Sequence, residues 1–176
     1  MRAAVIFDVD GVLLELTAAE EDVFFEALGV EGLSRDWNSY PIRNDREIIR
    51  HVLGGDSTAV EARYLSLLAD AIATGRVRPR PIPGAGELLA KLDGHVTGIA
   101  TANLLPAARL RLAAAGVTHD FSFAEGAEGG GPKSDILARL IAASGHPWQR
   151  LVYIGDNLND LAAGSAHAGL FIGFST

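Results

Sequence analysis

Two aspartates that directly follow a short apolar run are the residues of this sequence best suited to chemistry. The segment Val5–Val12 predicts a buried strand that ends on Asp8, Asp10 and then Gly11. Open α/β sheets bind their ligands at the carboxyl ends of such strands. Two neighbouring carboxylates repel each other unless a cation or a shared proton offsets the repulsion. On these residues alone, the pattern fits a catalytic site or a plain turn that uses the backbone preferences of Asp and Gly.

A second predicted strand also ends on acids. The apolar run 151–154 is followed by Gly155, by Asp156 and, four residues later, by Asp160 in the first turn of a predicted helix. Helix capping can explain each of these acids separately. It does not explain why the chain has two acidic strand ends. Carboxylates that converge at one sheet edge form a site for an oxygen-preferring cation, and Mg²⁺ is the usual one with phosphate.

Three further residues carry groups suited to phosphate. A predicted strand ends in Thr101 and Asn103 just before a helix, where a hydroxyl and free amides can hold phosphate oxygens, although both residues also serve as ordinary turn and cap residues. Lys133 follows the glycine-rich stretch 126–131. A compact charge on a flexible stem suits an aspartate nucleophile and its phosphate, whereas a loop lysine without a function is usually solvated.

Alternating strands and helices must position these residues. Residues 18–28, 44–53 and 58–74 predict three helices after the first strand, and Thr58 with Glu61 predicts a capping box on the third. Beyond the proline-rich linker 78–84, strands and helices alternate, which predicts a doubly wound parallel α/β sheet. The predicted strands are 3–8, 95–101, 120–123, 151–155 and 170–174, and the helices 84–92, 105–115, 134–144 and 158–168. We therefore expect a core of residues 1–14 and 81–176 with a small helical cap, residues 15–80, inserted after the first strand.

Composition excludes several classes of partner and chemistry. The chain of 176 residues has 22 acidic and 15 basic residues and a net charge of −7, which argues against nucleic acid and anionic membrane as partners. Cysteine is absent, so disulfides, cysteine nucleophiles and thiolate metal sites are excluded. The first apolar run is too short for a membrane span, and acids interrupt it as a secretion signal. We expect a cytoplasmic monomer or homodimer.

The ordered motifs resemble those of the haloacid dehalogenase-like hydrolase superfamily. They are Asp8-x-Asp10-Gly11-Val12, Thr101, Lys133 and Gly155-Asp156-x-x-x-Asp160. The segments 83–89, 160–163 and 166–169 look like the phosphoglycolate phosphatase-like branch of that superfamily. The resemblance covers essentially the whole chain.

The resemblance implies a phosphatase that works through an aspartyl-phosphate. Asp8 would be the nucleophile, and Asp10 would serve as general acid and then general base. Thr101 and Lys133, with Asn103 beside them, would bind the phosphoryl oxygens. The implied Mg²⁺ ligands are the Asp8 carboxylate, the Asp10 backbone carbonyl and Asp156, with Asp160 as further support.

Other functions remain open at this stage. A phosphoglucomutase-like mutase would keep both aspartates, and a dehalogenase would not need Asp10. A receiver-like domain, which accepts a phosphoryl group without being an enzyme, uses similar residues, but in another order and without a helical insertion. The chain also departs from the family pattern, because Glu15-Leu16 stands where Asp-Ser is common and Pro132 precedes the lysine instead of following it.

The substrate is expected to be a small phosphorylated metabolite, recognised by the cap. Segment 36–46 is the richest part of the cap in aromatic and polar side chains. Arg43 and Arg46 are the best candidates for substrate binding, since a guanidinium can hold a carboxylate or a second phosphate in a forked geometry. Trp37 and Tyr40 either contact the substrate or pack the cap.

Overall fold

A five-stranded parallel sheet forms the centre of the protein. The computed structural model describes residues 3–145 and 150–175. Residues 1–2, 146–149 and 176 belong to the predicted core but are not among the described residues. The strand order is β3-β2-β1-β4-β5, and every pair is parallel. The strands are β1 (Ala4–Phe7), β2 (Val96–Ala100), β3 (Phe123–Glu125), β4 (Leu151–Gly155) and β5 (Leu170–Gly173). The predicted fold class is confirmed.

Helices cover both faces of this sheet, which explains why β1 is apolar at every position. Side chains alternate along a strand, so Phe7 packs with α4 (Ala85–Lys91) and α5 (Leu105–Ala114). On the opposite face, Ala4 and Ile6 pack with α6 (Lys133–Ser144) and α7 (Leu158–His167). None of the helices in the described ranges is long and apolar enough to cross a membrane.

Three helices, which we call the cap helices, lie between β1 and α4. They are α1 (Ala18–Leu28), α2 (Asp45–Leu53) and α3 (Thr58–Ala73). They pack around a cluster that includes Phe24, Ile48 and Leu68, and Leu104 and Ala107 of the α5 region belong to the same cluster. The cap helices therefore share apolar packing with the element that follows β2. The boundaries between core and cap at residues 14/15 and 80/81 stay a prediction.

The third strand begins later than predicted. The sequence predicts a strand near 120–123, whereas β3 spans Phe123–Glu125. Phe121 instead packs its ring edge against Phe7, with ring centroids 6.4 Å apart. Gly98 pairs with Phe123, and a Cβ at Gly98 would lie only 3.0 Å from the Phe123 carbonyl oxygen. Pairing with β2 thus begins at Phe123, where the two backbones approach closely, and residue types alone do not reveal this position.

The predicted capping box of the third helix does not form. Ser57 is the N-cap residue of α3, and Thr58 Oγ1 donates to Asp56 Oδ1 at 2.7 Å. The Glu61 carboxylate is held by Arg46 instead. The predicted box fails because Thr58 is the first helical residue of α3 and not its N-cap.

Candidate active site

The register of the sheet brings three predicted site residues to one edge. Phe7 is level with Ile99 on β2 and with Ile154 on β4. Asp8 follows Phe7 directly, while Thr101 and Asp156 each come two residues after these partners. The Asp8 amide donates to the Ile154 carbonyl at 2.9 Å, so the pairing of β1 with β4 extends to Asp8. The strand ends therefore converge as the sequence motifs predict.

Asp8 and Lys133 form a buried ion pair at this edge. The Lys133 Nζ lies 2.6 Å from Asp8 Oδ1 and 3.2 Å from Asp160 Oδ1. Lys133 is 6% exposed and Asp8 is 5% exposed. Burial lowers the pKa of the Lys133 ammonium, but the Asp8 and Asp160 carboxylates raise it by more. The pKa of Lys133 therefore lies above its ordinary value. The lysine therefore stays protonated beside Asp8.

The loop before α6 delivers Lys133 to this position. Gly130 and Gly131 adopt left-handed conformations with φ of +67° and +79°, and a Cβ at Gly131 would lie 2.5 Å from Asp135 Oδ2. Pro132 is the N-cap residue, so α6 begins at Lys133 and not at the predicted residue 134. The glycines and the proline thus define the turn that places the lysine in the first turn of α6.

Asp160 is fully buried, and its partners hold both of its oxygens. Its Oδ1 accepts from the Tyr153 hydroxyl at 2.6 Å as well as from Lys133. Its Oδ2 accepts from the backbone amides of Asp156 and Asn157, each at 3.3 Å, which completes a capping box at the start of α7. Burial raises the pKa of Asp160, but Lys133 and the Tyr153 hydroxyl lower it overall, so the carboxylate is ionised.

Three carboxylates come close enough to share a cation. One oxygen from each of Asp8, Asp156 and Asp160 lies within 4.8 Å of the other two. Gly11 makes room for Asp156, because a Cβ at Gly11 would lie 2.0 Å from Asp156 Oδ2 and the backbone there has φ +76°. These hard oxygen donors suit Mg²⁺. The Asp10 carboxylate is not among the three.

Thr101 and Asn103 lie beside this cluster as predicted. Thr101 is 1% exposed, and its Oγ1 donates to Asn103 Oδ1 at 3.0 Å and accepts from the Asn103 amide at 3.2 Å. Both residues line a cavity of about 250 Å³ above the sheet edge. The cavity also contacts Asp8, Asp10, Lys133, Asp156 and Asp160. The predicted core site residues therefore face one common space.

The cap helices and the segment between α1 and α2 supply the opposite wall of this cavity. Phe24 and Trp37 face it, and the Trp37 indole donates to Glu21 Oε1 at 2.7 Å. Arg43 also lines it: its Nη1 donates to Asn38 at 3.0 Å, while its Nε is buried and has no hydrogen-bond partner in the described part of the chain. Tyr40 packs within the cap, 8% exposed, with its hydroxyl bonded to the Ser34 carbonyl at 2.7 Å.

The structure places Arg46 away from the cavity. Its Nε and Nη2 each donate to the Glu61 carboxylate at 2.6 Å, and its Nη1 donates to the Glu128 carbonyl. Arg46 therefore ties α2 to α3 and to the loop before α6. Among the described residues that line the cavity, Arg43 is present and Arg46 is absent.

Sequence reasoning missed Arg111 and its partner Glu20. The Arg111 guanidinium donates to the Asp10 carboxylate from both terminal nitrogens, and its Nε donates to Glu20 Oε1 at 2.8 Å. Two sequence signals could have found them. Arg111 stands four residues after Ala107, on the buried stripe of α5, and Glu20 stands three residues after Thr17 in a capping-box pattern.

Asp45 is a further acid that the sequence analysis missed. It begins α2 and is 3% exposed, and its Oδ2 accepts from the Leu104 amide at 2.8 Å. Its own amide donates to the Ala102 carbonyl at 3.0 Å. Burial raises the pKa of Asp45 to about 7. This residue thus joins the start of α2 to the loop that carries Thr101.

Similar proteins include a curated bacterial kinase. Proteins named tyrosine-protein kinase PtkA, from Mycobacterium bovis and Mycobacterium tuberculosis, are 29% identical to this chain over 178 residues. The match covers 93% of this chain and 58% of the PtkA sequences. The chain therefore spans less than two thirds of the length of these relatives.

Solved structures share the fold along the whole chain. The crystal structure of CbbY from Rhodobacter sphaeroides in complex with phosphate has a TM-score of 0.79 at 23% identity and covers 100% of this chain and 87% of its own. A mutant of CbbY in complex with xylulose-(1,5)bisphosphate has a TM-score of 0.75 at 24% identity, with the same coverage. At these identities the likeness establishes the fold.

The sequence also matches a described family over nearly its full length. The predicted superfamily is confirmed by this match, and the solved structures confirm the predicted fold. The match runs from residue 3 to residue 168, and the chain belongs to the haloacid dehalogenase-like hydrolase family.

Proposed function

We propose that this protein is a phosphoric monoester hydrolase that transfers the phosphoryl group of a small metabolite first to Asp8 and then to water. The observation that carries the proposal is the buried contact of 2.6 Å between Asp8 and a protonated Lys133 in a cavity shared with Asp10. A buried carboxylate held by a lysine is oriented to attack a group that carries negative charge. Its repulsion of that group is offset by the neighbouring ammonium.

The residues of the cavity supply the steps of this reaction. An Asp8 carboxylate oxygen attacks phosphorus, the bond between phosphorus and the ester oxygen breaks, and Asp10 gives a proton to the departing oxygen. Water then attacks the phosphorus of the aspartyl-phosphate while Asp10 takes its proton, which releases inorganic phosphate and restores Asp8. Lys133 and Thr101 hold the phosphoryl oxygens where negative charge develops.

The acidic cluster fits a divalent cation, which we propose to be Mg²⁺. Asp8 and Asp156 would hold it together with the Asp10 backbone carbonyl. Asp160, whose oxygens are bonded to Tyr153, Lys133 and two amides, would mainly support the site. A bound Mg²⁺ would neutralise charge on the phosphoryl oxygens and on these carboxylates.

We further propose that Arg43 sets the choice of substrate. Its buried Nε without a partner offers a donor to a carboxylate or second phosphate on the metabolite, and an unsatisfied buried donor is unfavourable until it is bound. The rings of Phe24 and Trp37 form an apolar part of the wall of the same cavity. Arg46, which was predicted to share this role, is bound to Glu61, and we assign it to the structure of the cap.

The proposed setting is a cytoplasmic monomer or homodimer.

The proposal is tested by phosphatase assays on 4-nitrophenyl phosphate and on a panel of phosphorylated metabolites. We expect turnover with Mg²⁺, loss of turnover in EDTA, and recovery when Mg²⁺ is restored. Asp8→Asn serves as the matched control, since it keeps the shape of the side chain and removes the nucleophile. Absence of turnover on every phosphate ester in the presence of Mg²⁺ would reject the proposal.

The likeness to PtkA favours one second candidate, phosphoryl transfer to an acceptor other than water. In that case the aspartyl-phosphate, or a nucleoside triphosphate, would donate to a hydroxyl such as that of tyrosine. The test adds a tyrosine peptide or a sugar phosphate to the assay and measures how phosphate divides between acceptor and water. We expect release of inorganic phosphate to dominate; transfer that exceeds hydrolysis would favour the second candidate.

A further inference from the structure

Arg111 is a fully buried arginine that contacts the proposed general acid. It is 1% exposed, and its two terminal nitrogens donate to the two carboxylate oxygens of Asp10, the Nη1 contact at 3.3 Å. The same Nη1 lies 3.3 Å from Asn103 Oδ1. A planar guanidinium that makes two parallel contacts fixes both the position and the plane of a carboxylate. One arginine therefore contacts both Asp10 and a residue beside the phosphoryl site.

Glu20 of the cap helices holds Arg111 in place from the other side. The Glu20 Oε1 accepts from Arg111 Nε at 2.8 Å, and both side chains are 1% exposed. The Glu20 Oε2 accepts from the Thr17 amide and from its hydroxyl, each at 2.8 Å. Hydrogen bonds therefore connect Thr17, at the start of α1, through Glu20 and Arg111 to Asp10.

Asp10 itself needs such support. It stands in the turn between β1 and the cap, next to Gly11, and its side chain is 22% exposed to the cavity. A short acidic side chain at that place can adopt several rotamers, and proton transfer requires the carboxyl group within hydrogen-bond reach of the departing oxygen. The fork from Arg111 selects one orientation.

We propose that Arg111, fixed by Glu20, is a positioning residue that aims the Asp10 carboxyl group at the leaving oxygen of the substrate. This inference rests on the proposed phosphatase function and adds to it a residue outside the sequence motifs. It also gives the cap a part in proton transfer, because Glu20 belongs to α1 and Arg111 to α5.

The test compares two aryl phosphates whose leaving groups differ in their need for a proton. 4-Nitrophenol leaves as a stable anion, whereas phenol depends more on protonation by a general acid. We expect Arg111→Lys, which keeps the charge and loses the fork, to lower kcat/KM for phenyl phosphate by roughly tenfold to a hundredfold. For 4-nitrophenyl phosphate we expect a change of less than about threefold. Asp10→Asn should show the same selectivity more strongly.

Controls separate positioning from folding. Arg139→Lys alters another arginine outside the cavity, whose Nε donates to Glu125 at 2.7 Å and whose terminal nitrogens donate to the Gly126 and Gly130 carbonyls, and it should not change the ratio of the two activities. Glu20→Gln keeps an oxygen for the Arg111 Nε, and it should produce the same selective loss in milder form. Circular dichroism and the midpoint of urea unfolding verify that each variant is folded.

Each outcome bears on one claim. Equal losses on both substrates in Arg111→Lys, or a selective loss in Arg139→Lys as well, would overturn the positioning role. If Arg111→Lys does not fold, a selective loss in Glu20→Gln supports the role and its absence overturns it. A wild-type protein that hydrolyses neither substrate would instead reject the proposed function itself.

Discussion

Replacing Asp45 with asparagine should stabilise the protein, and the gain should grow with pH. The carboxyl group is 3% exposed, and burial raises its pKa from the ordinary value of 3.8 to about 7, with Asp10 and Glu128 adding to the effect. The Leu104 amide and Arg111 oppose it. The folded protein therefore binds the proton of Asp45 more tightly than the unfolded chain does.

The sign and size of the effect follow from this difference. Between pH 5 and pH 7 the folded protein keeps the proton while most of the unfolded chain has lost it, so the free energy of unfolding falls as pH rises. The slope is about 1.36 kcal/mol per pH unit, which gives roughly 3 kcal/mol between pH 5 and pH 8. Asparagine cannot ionise, and its Oδ1 still accepts from the Leu104 amide, so Asp45→Asn should escape this loss.

Urea unfolding of both proteins at pH 5, 6, 7 and 8 measures the effect. The free energy of unfolding of Asp45→Asn minus that of the wild type should rise by roughly 3 kcal/mol over this range and level off above pH 7. Asp93→Asn, at an exposed acid, is the matched control and should show no such trend. A difference for Asp45→Asn that stays constant from pH 5 to pH 8 would contradict the raised pKa of Asp45.

Four more substitutions test the cavity and the cap. Lys133→Met should lower kcat/KM for 4-nitrophenyl phosphate by about a hundredfold or more, because it removes the charge beside the nucleophile; retained activity would dismiss that role. Arg43→Ala should raise KM for the natural substrate by roughly tenfold to a hundredfold and leave KM for 4-nitrophenyl phosphate unchanged. Arg46→Ala should instead lower the free energy of unfolding in urea by about 2 kcal/mol. The reverse pattern would assign substrate binding to Arg46. Gly11→Ala should lower stability by at least about 1 kcal/mol and weaken Mg²⁺-dependent activation, since its Cβ would clash with a carboxylate oxygen 2.0 Å away; a variant with wild-type Mg²⁺ dependence would contradict the account of the acidic cluster.

The strand-end residues could be predicted because their signals are local. A short apolar run followed by an acid, as at Asp8 and Asp156, marks both the strand and its end, and parallel pairing then brings such ends to one edge. Lys133 could be placed because it follows glycines at the start of a helix. In these segments, the residues that define the element and the residues proposed for chemistry stand next to each other in the chain.

The cap side of the site could not be predicted in the same way. The contact of Arg111 with Glu20 joins residues 91 positions apart, and that with Asp10 joins residues 101 apart. Only the docking of the cap helices on α5 brings them together. The pairing of Arg46 with Glu61 likewise depends on how α2 lies against α3. The sequence shows that an arginine can donate hydrogen bonds but does not show which group accepts them. The accepting group determines whether the arginine contacts a substrate or connects two elements of the fold.

The most direct test of the central claim is to locate the covalent intermediate. Asp10→Asn, mixed with 4-nitrophenyl phosphate and Mg²⁺ and quenched in acid, should accumulate a phosphoryl group, because water attacks slowly when no base takes its proton. Peptide mass spectrometry after borohydride reduction, which converts an aspartyl-phosphate to homoserine, should find the modification at residue 8. The double variant with Asp8→Asn should carry none. Label at another residue, or hydrolysis that persists in Asp8→Asn, would contradict the assignment of Asp8 as the nucleophile.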